Sequence, residues 1–482
     1  MDTQIKKNSV IHPGVNQKIS SDRFKPVEPE IYPLFKAYPA KNQKIYIPTR
    51  YKLTVAGIFA LLWLLVSVYI SYPWIQDLSN LFHPVIAWVV VIGIAFIPGL
   101  ANAFIIAGLF LDRRPEFDLQ HDLPPVSLLI AAYNEEPNIG ITLHSIIDQN
   151  YPNKVEVIVV NDGSKDNTAA VVMDIKNRYE KDNLTIKLIN KEKNSGKADT
   201  LNTGLKDATY DLIVTLDGDS YLYKNSLVNL VTYMLNSSYD TSAVAGAVLV
   251  RNSRINWITK MQEWDYFHGI AVVKRIQSLF QGTLVAQGSY AIFKKSVLFE
   301  VGGWTDTMGE DIVLTWYLHK KGFKVRYAEK AIIFTNVPES YKQFFRQRRR
   351  WARGLIEAFK QHPKVLFKAR QNVPFIWYNA LFPFLDFVFA FAFVPGLIAA
   401  VFWQNYAIVS IMTLTLYPLA LIINWFMFYK QKKVFRKMGL RVRKNMFGFI
   451  AYMFIYQFLM IPATLAGYTA ETLNRKKSWG TK

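Results

Sequence analysis

The chain is 482 residues long, 51% hydrophobic, and has 57 Lys and Arg against 36 Asp and Glu and no cysteine. That length allows two or three domains, and the lack of cysteine excludes a disulfide framework and any thiolate metal site. The net charge of +21 suits nucleic acid, an anionic membrane surface or an anionic substrate. No helix-turn-helix, zinc-finger or RNA-binding-sheet signature is present and the basic residues cluster beside apolar runs, so juxtamembrane charge is the better account and no nucleic acid partner is expected.

Residues 1–50 are polar and rich in Pro and Lys, and read as a disordered or surface-lying tail, too long and polar to begin a signal peptide. Apolar runs at 53–70 and 84–111, separated by a break at 71–77, can each cross a hydrocarbon core of ~30 Å. Arg113 and Arg114 after the second run, with the rule that positive charge stays inside, make the pair a hairpin with both ends cytoplasmic.

From 124 to about 372 the pattern alternates. Strands are predicted at 126–132, 155–160, 184–189 and 212–217, and helices at 138–149, 168–179 and 197–206. Apolar strands alternating with helices argue an α/β fold with a mostly parallel sheet covered on both faces. Ligands meet such sheets at the carboxyl ends of the strands. Two later stretches are amphipathic: 257–276, and 344–359, where aromatics interleave with Arg346, Arg348, Arg349, Arg350 and Arg353. They suit helices in the membrane interface, with core helices of the soluble domain as the other reading. Three more apolar runs follow at 382–403, 406–428 and 447–470, with a basic loop at 430–444. Domains are thus a tail at 1–50, two spans in 51–111, a cytoplasmic domain at 112–372, spans in 373–470 and a basic tail at 471–482. Two spans before the domain and three after put the C-terminus outside, whereas the basic tail favours the inside.

The strand ends carry the chemistry. The first delivers Tyr133 and Glu135, the second Asp162, the third is followed by Lys197, and the fourth ends in Asp217-Gly218-Asp219. Carboxylates at i and i+2 lie on one side of an extended backbone and can converge on a hard cation, Mg²⁺ or Mn²⁺, whose other ligands would be diphosphate oxygens. An aromatic, a carboxylate, a lysine and a metal pair at one sheet edge fit a nucleoside diphosphate.

This set resembles the membrane-embedded, inverting family 2 glycosyltransferases: the cellulose, hyaluronan, chitin and poly-N-acetylglucosamine synthases. The resemblance runs from about 124 to 351 and implies a GT-A-like domain inserted between transmembrane helices, with amphipathic interface helices. It places Asp162 at the uracil-contacting aspartate, Tyr133 and Glu135 at neighbouring nucleotide contacts, and Asp217 and Asp219 at the metal pair. Gly309-Glu310-Asp311 is similar to the family's Thr-Glu-Asp, with Gly for Thr, which makes Asp311 the general base; a helix cap is the competing role. Gln347, Arg350 and Trp351 match the Gln-x-x-Arg-Trp signature of processive members, and a lipid-facing basic helix is the plainer reading of that run. Gln287, Gly288 and Ser289, with Trp304, fall where the family contacts the acceptor sugar, as do Glu310 and Gln347. No cyclic-dinucleotide-binding module is expected after the last span. The layout resembles the poly-N-acetylglucosamine synthases most.

The resemblance implies processive transfer from a UDP-sugar, with N-acetylglucosamine the expected donor sugar, to a growing β-linked polysaccharide in the plasma membrane. Its partners are then the UDP-sugar, the polysaccharide, the lipid bilayer and possible small accessory membrane subunits. Alternatives are single-sugar transfer to a lipid, a hyaluronan-, cellulose- or chitin-type synthase with another donor, or a non-catalytic membrane protein.

Overall fold

The computed structural model describes residues 47–112, 122–441 and 443–476. The expected polar tail, apart from 47–50, and the Arg113–Arg114 pair lie outside the described residues.

Two long helices come first, α1 (Thr49–Leu81) and α2 (Pro84–Leu111). The break expected at 71–77 is absent: α1 runs on through Pro73. Trp74, Ile75 and Leu78 beyond the proline are buried, and the Trp74 indole donates to the Ala407 carbonyl at 2.7 Å. Packing against α2 outweighs the one backbone donor that proline removes. α2 contains a π-helical segment, Ile92–Phe96.

The sheet domain follows the predicted alternation: β1 (Val126–Ala132), α3 (Glu136–Ile147), β2 (Val155–Asn161), α4 (Thr168–Tyr179), β3 (Leu184–Asn190), α5 (Lys197–Asp207) and β4 (Leu212–Asp217). After these come β5 (Tyr221–Leu222), α6 (Ser226–Leu235), β6 (Thr241–Val250), α7 (Trp257–His268), α8 (Lys274–Leu279), β7 (Tyr290–Lys294), α9 (Lys295–Glu300), α10 (Glu310–Lys321) and β8 (Lys324–Thr335). The sheet order is β3-β2-β1-β4-β7-β6-β8-β5. β3, β2, β1 and β4 are mutually parallel, β7 is antiparallel to β4 and β6, and β6 is parallel to β8. One face buries Leu128, Ile130, Val157, Val159 and Val214 against α3, α4 and α6. The other buries Leu129, Ile158, Ile213 and Phe293 against α5, α9 and α10. Burial on both faces explains the continuous apolar runs of β1, β2 and β4.

The two amphipathic stretches form α7 with α8, joined by the π-helical segment Gly269–Val273, and α11 (Tyr341–Gln361). α11 lies between α10 on one side and α15 (Tyr456–Thr472) on the other. The helix that carries the arginine run joins the sheet domain to the apolar helices. α12 (Val373–Trp403) contains a third π-helical segment, Phe389–Phe393, and α13 occupies Ile411–Lys437. The last expected span is broken: α14 (Met446–Phe454) and α15 meet at a bend of 51°. Among the described residues α1, α2 and α12 are each long and apolar enough to cross a membrane, and α14 with α15 passes that test only as a pair.

Candidate active site

The strand order reverses between β1 and β4, and ligand crevices of open α/β sheets lie beyond the carboxyl ends of strands at such a point. There Asp217 ends β4 and its carboxylate accepts a hydrogen bond from Lys197 Nζ. Lys197 opens α5 after Gly196, whose φ of +90° is a left-handed conformation suited to glycine. The same ammonium lies 3.7 Å from Glu310. Asp219 accepts from Thr335 at the end of β8 at 3.3 Å. Beside Gly218 the space is taken by Glu135, whose Cγ would lie 3.2 Å from an added Cβ.

Asp162 is buried and organises the β3–α5 loop. Its Oδ1 accepts from Lys191 Nζ at 2.8 Å and from the Ser195 N–H at 3.0 Å, and its Oδ2 from the Gly196 N–H at 3.0 Å. Oδ2 has one hydrogen-bond donor among the described residues, the Gly196 N–H. Glu135 accepts from Asn138 at 2.9 Å, and Tyr133 is exposed.

Asp311 lies in the first turn of α10. Its Oδ1 accepts from the Ile312 N–H at 2.8 Å and its Oδ2 from the Gly288 N–H at 3.3 Å. Glu310 beside it is buried, with Oε2 lacking a hydrogen-bond partner among the described residues. Burial pushes the Glu310 carboxyl up to about 7, against the opposing pull of Lys197. Gly288 needs its missing side chain: an added Cβ would lie 3.1 Å from Lys197 Nζ and 3.2 Å from Glu310 Oε1.

α11 supplies the far wall. Arg348 is buried, bonded to Asp265 of α7 at 2.6 Å, and lies 4.1 Å over the Trp351 ring. It fixes the rotamer of a tryptophan that is itself 43% exposed. Within the signature, Gln347, Arg348 and Arg350 all line the cavity, and the bond from Arg348 to Asp265 also holds the helix in place.

Between these walls lies a partly open cavity of about 790 Å³. Of the residues expected from the sequence, it is lined by Lys197, Asp217, Asp219, Gln287, Gly288, Ser289, Glu310, Asp311, Gln347, Arg350 and Trp351. Tyr133, Glu135 and Asp162 sit on the neighbouring loops rather than in its wall. Trp304 is apart: its ring packs on Phe293 at 5.8 Å in the core and its backbone is clasped by Asn202. Sequence reasoning missed Lys274, Asp265, Tyr266 and Thr335, which also line it. None sits in a motif, and only the alternation of α7 with aromatics marked its region.

Residues 124–354 match the family described as "Glycosyltransferase like family 2". The poly-β-1,6-N-acetyl-D-glucosamine synthase of Staphylococcus aureus (strain COL) is 32% identical over 280 residues, 55% of this chain and 65% of that protein. The synthase of the same name from Staphylococcus epidermidis is 35% identical over 230 residues, 48% of this chain and 54% of that protein. The chain thus spans just over half to just under two thirds of the length of these curated relatives. Among solved structures, a mannosyltransferase from Pyrobaculum calidifontis in complex with GDP-Man and Mn²⁺ shares the fold, with a TM-score of 0.57 at 19% identity, covering 80% of this chain and 99% of that one. Residues 124–354 thus resemble the glycosyltransferase family 2 model, and they fold as a GT-A-like, mostly parallel sheet set among apolar helices long enough to cross a membrane.

Proposed function

We propose that the protein transfers N-acetylglucosamine, with inversion, from UDP-N-acetylglucosamine to a growing β-linked polysaccharide, processively, and passes the product across the membrane between its apolar helices. The observation that carries this reading is one cavity in which Lys197, the Asp217–Asp219 pair, Asp311 and the Arg350–Trp351 end of α11 meet. The naming of the relatives as poly-β-1,6-N-acetyl-D-glucosamine synthases favours that sugar.

The donor's uracil rests by Tyr133 and on the second lone pair of Asp162 Oδ2, with Glu135 beside them. Asp217 and Asp219 offer the oxygen donors that Mg²⁺ or Mn²⁺ takes. No group of three or more His, Asp or Glu among the described residues is placed to hold a metal ion by itself; diphosphate and water would complete the shell. When bound, the cation neutralises charge on the leaving diphosphate. Lys197 and Arg350 add positive charge at the same place. Trp351 offers an exposed ring face to a sugar, and Gln287, Ser289 and Gln347 offer hydrogen bonds. Asp311 takes the proton of the acceptor hydroxyl as that oxygen attacks the anomeric carbon. The sheet domain faces the cytoplasm, on the side of the basic 430–444 loop.

The experiment is incorporation of labelled sugar from UDP-N-acetylglucosamine by the full chain, compared with Asp311→Asn. Asn keeps size and hydrogen bonding but cannot take a proton at neutral pH. UDP affinity by calorimetry is expected to stay within about twofold while polymer formation drops ~10²–10⁴-fold, the range for loss of a general base. Near-normal incorporation by the variant removes the base assignment, and no polymer from the wild type removes the function.

A further inference from the structure

Lys274 opens α8 directly after the π-helical segment Gly269–Val273, an irregularity that often marks functional positions in helices. Its side chain lines the cavity beside Val285, Gly288 and Asp311. Nζ donates to the Val285 carbonyl at 3.1 Å, its one hydrogen-bond partner among the described residues, and it makes no ion pair among them. An ammonium has three donors, so two remain for the cavity it lines. Burial pushes this ammonium down to about 7, and the nearby Asp311 carboxylate opposes that push. Unused donors on a partly desolvated cation favour a ligand that accepts hydrogen bonds.

The surroundings say which ligand. Lys274 grips a loop built around Asp311. The Ala286 N–H donates to Thr315 Oγ1 at 2.8 Å, Thr315 Oγ1 donates to the Asp311 carbonyl at 2.7 Å, and the Gly288 N–H donates to the Asp311 carboxylate at 3.3 Å. Lys197 is already engaged by Asp217 and Glu310. Lys274, held on the Val285 carbonyl near Asp311, is the cation whose donors are left over on the side of Asp311, where a second sugar has to lie for its hydroxyl to reach that carboxylate.

We propose that Lys274 binds the acceptor: its two unused donors hold oxygens of the terminal acceptor sugar and keep the attacking hydroxyl against Asp311. This rests on the transfer reaction proposed above. In that reaction the acceptor oxygen bonds to the anomeric carbon and its proton goes to Asp311. The bond from the anomeric carbon to the phosphate oxygen breaks, and its electron pair leaves on UDP. With the acceptor misplaced, water takes its position and the products are free sugar and UDP.

The test counts UDP released per sugar retained in polymer, with UDP affinity measured on the same preparation, for wild type, Lys274→Met and Lys274→Arg. The Met variant is expected to bind UDP within twofold of wild type, to incorporate at least tenfold less sugar, and to release at least fivefold more UDP per sugar retained. The Arg variant, which keeps donors and charge, is expected to restore most of the coupling. If Lys274 only props the loop, Asp311 shifts in the Met variant and UDP release falls together with incorporation. An unchanged ratio, whether incorporation is normal or lost, overturns the proposal. Should the Met variant melt more than ten degrees below wild type, Lys274→Gln supplies the same ratio. A wild type that releases no UDP from UDP-N-acetylglucosamine fails the underlying function instead, so the two failures are distinct.

Discussion

At the residue scale two glycines place the start of α10, which carries the proposed base Asp311. A Cβ on Gly354 of α11 would lie 2.7 Å from the Gly309 Cα and 3.0 Å from the Gly309 nitrogen, and a Cβ on Gly309 would meet Gly354 at 2.7 Å. This contact explains why Gly stands where the resembled motif has Thr: a larger residue would push α11 off the start of α10. Glu357, one turn further along α11, accepts from the Met308 N–H at 2.7 Å and so holds the same α10 start. Helix propensity alone favours Gly354→Ala by ~1 kcal/mol, but overpacking against backbone costs about 1–3 kcal/mol. We expect Gly354→Ala to lower the melting temperature by a few degrees and polymer formation at least tenfold. Gly57→Ala in α1, where nothing lies within 4 Å of an added Cβ, is expected to be neutral. Wild-type incorporation by Gly354→Ala would show that the contact relaxes freely. The sequence made Asp311 and the Arg-Trp pair legible because motifs report residue type and spacing. It could not separate Arg348, buried on Asp265, from the half-buried Arg350 that lines the same cavity, since neighbouring arginines differ only in the helix face they occupy. Lys274 was illegible for the same reason, because a π-helical segment changes the phase of the residues that follow it.

At the element scale α10 joins the site to the apolar helices, and its last turn carries a pH-sensitive contact. His319 is fully buried, with Nε2 2.9 Å from the Thr283 carbonyl and Nδ1 3.4 Å from the Phe323 carbonyl. Burial pushes its imidazole down to about 4, and the Arg370 guanidinium adds to that. The folded value lies below the unfolded one of about 6.5, so the unfolded chain binds the extra proton first. Stability present above pH 6.5 is therefore lost as pH falls towards 4, by up to about 3 kcal/mol at 1.36 kcal/mol per unit. Burial shifts His268 and His362 the same way, so His319→Gln is expected to flatten only part of the slope. The check is the denaturation midpoint of the purified protein at pH 7.5, 6 and 5. Equal slopes for wild type and His319→Gln would refute the assignment. Elements were legible to the extent that period decides them. β1, β2, β3, β4 and α4 fall on their expected residues to within one position, while the passage of α1 through Pro73 and the bend between α14 and α15 follow from tertiary packing that no local pattern records.

At the scale of the molecule, contacts between the ends of helices bear on which side of the membrane the end of α15 lies. α13 ends beside the sheet domain: Phe435 is buried with Tyr327 and Ala245, and the Tyr223 hydroxyl donates to the Met438 carbonyl at 3.2 Å. α14 then starts where the Trp264 indole of α7 donates to the Asn445 carbonyl at 2.8 Å. α15 ends where Arg353 of α11 donates to Glu471 at 3.1 Å and to the Arg475 carbonyl at 2.7 Å. Both ends of the bent pair are thus held by α7 and α11, which pack on the sheet domain. In the arrangement we propose, α1, α2, α12 and α13 cross the membrane, and α14 with α15 enters and returns. Four crossings put the C-terminal end on the side of the sheet domain, in agreement with the basic tail and against the odd count of five expected from apolar runs. A chain without cysteine makes the test direct. Lys193→Cys reports the sheet domain, Tyr406→Cys the loop between α12 and α13, and Lys476→Cys the end of α15, and all three side chains are exposed. A membrane-impermeant maleimide added to intact cells is expected to label position 406 alone and to reach 193 and 476 only after permeabilisation. Labelling of 476 in intact cells while 193 stays protected would mean that α14 and α15 cross as one span. The Arg353–Glu471 pair, at two buried side chains, would then have to form at the opposite membrane face from the cavity that α11 lines.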